Sequence, residues 1–306
     1  MFKKFDVYEM VTNRIIDQLE KGIIPWHKPW QASLGYFVKN TIDLRKVAFN
    51  RITKKAYSFL NQMLLSKSGE YASFAQWHNL GGSIKKGAKA ETVVFWKIEE
   101  IKITDKTEED SEEEQKEKIV KLPILKYYQV FHIDDVTGVK PLELEDVEAP
   151  EEETENFDKE EQAEEVISNY SQREKVKIIF GGDSAFYSPS KDYIQVPHSK
   201  QFQEKAEYYS TLFHEIIHST GAKNRLDRLE PSSRFGNEGY SKEELVAEIG
   251  ASGILSLLNI ETSSSFKNSV AYIQSWIQVL RNDKKMIVSA SSKAEKAIEF
   301  IFKGKE

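Results

Sequence analysis

His214-Glu215-Ile216-Ile217-His218 sets two imidazoles four residues apart with a glutamate beside the first. On a helix such positions project about 40° apart from one face, close enough for both rings to share a metal ion. Glu215 is offset by about 100° and reaches a water on that ion instead of the ion itself. A metal lowers the pKa of such a water, so Glu215 can take its proton and later hand it to a leaving amine, which is the chemistry of amide hydrolysis. Phe213, Ile216 and Ile217 are uncharged, as a metal helix packed in a core requires, and Gly221 is placed to stop the helix.

The chain has no cysteine, which excludes a disulfide framework, a thiol nucleophile and cysteine-held metal or iron-sulfur sites. Metal ligands must then be His, Asp or Glu, and zinc is the expected ion, with three protein ligands and a fourth position for water. One extended pattern puts a third histidine six residues after the second, but Asn224 stands there, and Met286 is the only methionine after Met63, so a methionine turn is missing. The other route is a glutamate from a later helix. Glu244 and Glu248 share a face; Glu244 is the expected ligand and Glu248 the acceptor for a ligand imidazole. The reverse assignment stays open, and Asp227 is an outside candidate. The strand at Asp192–Val196 directly precedes the metal helix; at a sheet edge it would hold an extended peptide beside the metal, and Pro197 suits an edge.

Stepping outward to the supporting elements, apolar periodicity predicts helices over 6–21, 53–65, 73–80, 201–220, 242–258, 266–281 and 284–303. Strands are expected at 92–98, 126–133, 176–180, 185–188 and 192–196. Residues 99–118 read as an exposed, partly disordered hairpin extension, and Glu143–Glu165 as a self-repelling acidic linker running into a helix. The fold class is therefore α+β in two domains, 1–140 and 161–306, joined by a linker over 141–160. A length of 306 residues suits two cores at roughly 150 residues each. The start lacks the apolar stretch of a secretory signal, and no run approaches the ~20 apolar residues of a membrane span. A cytoplasmic protein without a membrane partner is the expectation.

The net charge of −6 conceals an uneven distribution. Residues 1–98 carry 16 Lys/Arg against 7 Asp/Glu, residues 99–165 carry 8 against 25, and residues 166–306 carry 19 against 17. The basic first third also holds aromatics: Trp26, Lys28 and Trp30, then Arg51, Lys54, Lys55 and Tyr57, then Trp77, and finally the Lys85, Lys86, Lys89 turn. Cations that attract phosphates, interleaved with rings on which bases stack, are what sequence-tolerant single-strand binding requires. Core packing is the favoured competing reading for Trp26 and Trp30, and a solvated loop competes for the lysine turn.

Taken together, these residues resemble the ArdC-type antirestriction proteins of conjugative plasmids and related mobile elements. The N-terminal similarity lies in Val11 through Gly22, Pro25-Trp26, Pro29-Trp30, Asn50 through Asn61, Leu80-Gly81-Gly82, Lys86-Gly87 and Val93 through Trp96. The C-terminal similarity lies in Ala185 through Pro189, Tyr208-Tyr209, His214 through Gly221, Arg225-Leu226, Phe235-Gly236 and Tyr240 through Glu248. The resemblance implies a non-specific single-stranded DNA module followed by a gluzincin-like metallopeptidase domain with a small sheet and several helices. It also implies a divalent ion, zinc or another, on His214, His218 and Glu244, with Glu215 as general base and a role in shielding incoming DNA from restriction. The protein or peptide substrate is not implied. Two departures are the long acidic hairpin and Ser219, which replaces the family's usual aromatic after the second metal histidine. Two other readings remain: a DNA-covering protein whose metal site is structural or silent, and a host-directed protease with no nucleic-acid role.

Overall fold

The computed structural model describes residues 5–27, 44, 47–104, 117–144, 159–229, 238–260 and 270–303. Helix α1, Val7–Glu20, starts on Asp6, whose carboxylate accepts from the Tyr8 and Glu9 amides. It ends at Gly22, where φ is +75°, a left-handed conformation that glycine adopts without penalty. Its buried face is Val11, Ile15, Ile16 and Leu19, the stripe that periodicity marks.

The helix expected over 53–65 forms only as α2, Phe59–Leu64. Asn50 is the reason. Its side-chain oxygen accepts from the Ile52 and Thr53 amides, its own amide bonds Lys55, and Lys54 takes φ of +52°, so residues 51–55 close a tight turn instead. Helix α3, Phe74–Asn79, starts with a reciprocal cap between Ser73 and Gln76.

Strands β1 (Ala48–Asn50), β2 (Gly69–Ala72), β4 (Glu91–Thr104) and β5 (Glu117–His132) form one sheet in the order β1-β2-β5-β4, with β1 parallel to β2 and the rest antiparallel. The remaining strands of this half, β3 (Ser83–Ile84) and β6 (Val136–Thr137), pair with each other. The β4–β5 ladder runs unbroken to Thr104 and Glu117, so both arms of the expected extension begin as paired strand; the rest of it, 105–116, lies outside the described residues. Neighbouring amides of α2 each cap one residue on the two outer strands of the sheet. Gln62 pairs with the N–H and C=O of Ala48 on β1, and Asn61 with those of Val94 on β4.

The second half opens with α4, Lys159–Glu174, which buries Ala163, Ile167 and Tyr170; most of the acidic stretch before it, 145–158, lies outside the described residues. Strands β7 (Lys177–Phe180), β8 (Phe186–Ser188) and β9 (Tyr193–Val196) follow in the order β7-β9-β8. The expectation that β9 is an edge strand is therefore overturned: it pairs with β7 on one side and β8 on the other, and its backbone is spoken for. Among the described residues, four helices follow: α5 (Lys205–Thr220), α6 (Glu238–Leu257), α7 (Val270–Asn282) and α8 (Met286–Phe302).

The main hydrophobic core draws on both halves. Val11, Ile15, Phe59, Met63 and Val94 belong to the same buried cluster as Leu245, Ile277, Ile287 and Ile298. The Thr12 hydroxyl donates to the Lys284 carbonyl at 2.7 Å, and the rings of Trp26 and Trp276 meet edge to face with centroids 6.1 Å apart.

Candidate metal centre and nucleic-acid face

Helix α5 carries His214, Glu215 and His218, and α6 crosses it closely because Gly250 leaves room. A Cβ at 250 would lie 2.6 Å from the Cδ1 of the fully buried Ile217. That contact brings the glutamates of α6 onto the histidine face. The Nε2 atoms of His214 and His218 are 3.1 Å apart, and the two carboxylate oxygens of Glu244 lie 3.4 Å from His214 Nε2 and 3.4 Å from His218 Nε2. Three donors held at about 2.1 Å by one tetrahedral ion stand roughly 3.4 Å apart, so the spacing fits a divalent cation without rearrangement. Among the described residues these three form the one such cluster.

The other ring nitrogens are also held. His218 Nδ1 lies 3.3 Å from Glu243 Oε1, and His214 Nδ1 lies 3.7 Å from Glu248 Oε1. Glu248 in turn accepts from the Tyr272 hydroxyl at 3.2 Å. Arg228 forks onto Glu243 through Nε and Nη2, donates to Thr220 Oγ1 at 2.7 Å and to the Ile217 carbonyl, and so ties the end of α5 to α6. Burial opposes a charge on His218, but hydrogen bonds to Glu243 and Glu244 outweigh it and push its pKa up to about 10. Burial likewise opposes ionisation of Glu244, yet the two histidines hold its carboxyl well below the usual range. Both directions describe a site built to surround positive charge.

Glu215 is buried, at 8% exposure. Among the described residues its carboxylate takes part in no hydrogen bond or ion pair. It is left available for a water. Asp227 is exposed and outside the cluster, so that candidate ligand is discarded. Ser219 is fully buried, bonded to the Tyr170 hydroxyl at 2.8 Å, which makes the small residue a structural link between α5 and α4. The fully buried Arg225 side chain forks onto Asp192 at 2.9 and 2.8 Å, and pins the loop after α5 to the sheet.

The basic half divides. Trp26 is corrected as a base platform: it has no exposed surface and lies in the core. Tyr57 is 8% exposed and lines the cleft between β4, α2 and α8. Arg51 is ion-paired with the buried Glu70. Lys54, Lys55, Lys85, Lys86 and Lys89 are all exposed, and Lys28 lies outside the described residues. Sequence reasoning missed the exposed rings Phe74, Phe95 and Trp96; periodicity gives no sign of a ring left outside the core. It also missed Arg228, whose partner lies 15 positions away on another helix.

A family model described as the N-terminal domain of the anti-restriction factor ArdC matches residues 5–131, and one described as a zincin-like metallopeptidase matches residues 161–293. A crystal structure of the antirestriction ArdC protein from the R388 plasmid, Mn(II)-bound, is 30% identical, covers 97% of this chain and 97% of its own, and superposes with a TM-score of 0.66. The chain belongs to the ArdC family of antirestriction proteins. The uncharacterized protein y4eC of Sinorhizobium fredii (strain NBRC 101917 / NGR234) is 30% identical over 97% of this chain and 91% of its own length. The DNA primase TraC of Escherichia coli is 31% identical over 96% of this chain, which spans only 27% of that protein. Like its ArdC relative, the chain is a two-domain α+β protein, and no helix among the described residues is long and apolar enough to cross a membrane.

Proposed function

We propose that this chain is a cytoplasmic antirestriction protein of a mobile element, binding single-stranded DNA non-specifically with its N-terminal half and carrying a zinc-dependent peptidase-like site in its C-terminal half. The observation that carries the second part is the convergence of His214, His218 and Glu244, with ring nitrogens and carboxylate oxygens at ligand-to-ligand distances. An ion held there would polarise a scissile carbonyl and acidify a neighbouring water. Glu243 orients the His218 imidazole through its outer nitrogen, and Glu248 places a carboxylate 3.7 Å from the outer nitrogen of His214. Glu215, which makes no hydrogen bond or ion pair among the described residues, would take the proton of the attacking water and deliver it to the leaving nitrogen. The first part is supported by the ArdC N-terminal match and by the exposed lysines at 54, 55, 85, 86 and 89.

Three readouts test this reading. Purified protein should hold one divalent ion per chain, His214→Ala should lose it, and Glu215→Gln should keep it. Retention on single-stranded DNA should fall steeply as salt rises. Protection of transferred DNA from restriction should drop for Glu215→Gln. Unchanged protection would assign shielding to DNA coverage alone and leave the metal site a structural role, and failure to retain single-stranded DNA at low salt would remove the DNA half.

A further inference from the structure

A cavity of about 320 Å³ opens where the edge of β4 meets α2 and α8, between the two halves of the protein. Phe95 and Trp96 line it from β4 and expose 43% and 48% of their surface, although they directly follow the buried Val94. Asn61 already takes both backbone groups of Val94. In an antiparallel ladder the next residue whose N–H and C=O face the same edge is Trp96. Its donor and acceptor therefore point into the open space beyond Asn61. Ser292 and Glu295 of α8 form the opposite wall. Glu295 accepts only a long 3.4 Å bond from the Phe59 amide, and burial pushes its carboxyl above the usual range.

Flat aromatic walls, a neighbouring backbone donor and acceptor, and a carboxyl with a hydroxyl across the gap suit a planar heterocycle with a mixed hydrogen-bonding edge. A purely apolar occupant would leave Glu295 and the Trp96 backbone unsatisfied. The volume is at the lower end of small-ligand sites, roughly 300–1,000 Å³, which admits a base with its sugar and no duplex. Lys54 and Lys55, immediately before the lining residue Ala56, are exposed and ion-paired to no described residue, so a backbone phosphate finds its countercharge beside the cleft.

We infer that this cleft is a base-holding subsite for single-stranded DNA, built jointly by the edge of the N-terminal sheet and the last helix. The inference rests on the DNA-binding reading above.

The test compares a short oligothymidylate with an abasic oligomer of equal length and charge, by fluorescence anisotropy on the full chain. The wild type should prefer the oligothymidylate by at least about five-fold, the effect of stacking one base. Trp96→Ala, at an exposed position, and Ser292→Phe, which fills the cleft, should each bring the oligothymidylate down to the abasic level, with thermal unfolding confirming the fold. Tryptophan emission should be quenched by the oligothymidylate and lose that response in Trp96→Phe. If both cleft variants kept the full preference, the subsite would be overturned while DNA binding stood. Failure of the wild type to bind either oligomer at low salt would overturn both. Quenching by thymidine monophosphate that the oligomer could not displace would assign the cleft to a free nucleotide and overturn it as a DNA subsite.

Discussion

Glu243 is the residue on which the metal centre turns most sharply without being an expected ligand. It sits between His218 and the buried fork of Arg228, and those two hold its carboxyl below the ordinary range against the opposing effect of burial. Glu243→Gln keeps the shape and removes the charge. Loss of such an orienting partner weakens metal affinity about 10–100-fold. Leaving Arg228 buried without its counter-ion costs on the order of 3 kcal/mol. Competition with a chelator and urea unfolding read the two effects separately. Asp192 offers a pH test. Burial raises its carboxyl, but Arg225 and the Tyr187 hydroxyl outweigh burial and hold it below the usual range. A depressed folded pKa contributes stability that is present above the unfolded value of about 3.9 and lost as pH falls through the folded one. Asp192→Asn should therefore lower the thermal midpoint at pH 7, and the gap to wild type should narrow as the pH is taken below about 3.9. The pentad was legible because its spacing is local. Arg228, Glu243 and Asp192 were not, because their roles depend on how α6 and the loop after α5 are turned.

At the scale of elements, the approach of α6 to α5 is set by a residue with no side chain. Gly250→Ala improves helix propensity by about 1 kcal/mol, yet the added methyl meets Ile217 at 2.6 Å in a place where Ile217 cannot yield. The overpacked contact should cost about 1–3 kcal/mol and tilt Glu244 away from the histidines. A lower thermal midpoint together with weaker metal binding is the expected result; a stabilised variant with unaltered metal affinity would remove Gly250 from the account. The helices were readable where burial follows a 3.6-residue period, as along α1 and α5, and where caps are explicit, as at Ser73. Two failures have physical causes. Asn50 captured the backbone that would have begun the second helix, and strand order, which no local pattern encodes, put β9 at the centre of its sheet.

At the scale of the molecule, the acidic stretch marks a boundary between two domains, and the two share one buried interior that runs from Val11 to Ile298. Composition reports solvation of a segment and says nothing of which surfaces meet behind it. Severing the chain tests the difference. Residues 159–306 expressed alone would bare the sides of Trp276, Leu280 and Ile287 that α1 and Trp26 help to cover, and should lack a cooperative transition. Coexpression with residues 1–144 should restore it, and the intact chain should melt in one step. A fragment that folds cooperatively unaided would contradict this.

A common interior also fixes reach. Two modules on a loose string would let the metal centre sweep a sphere around any docking point. Fused through α1 and α8, it would stay at one distance and orientation from any strand engaged by the proposed lysine face, which would confine its targets to molecules arriving at that same stretch of nucleic acid.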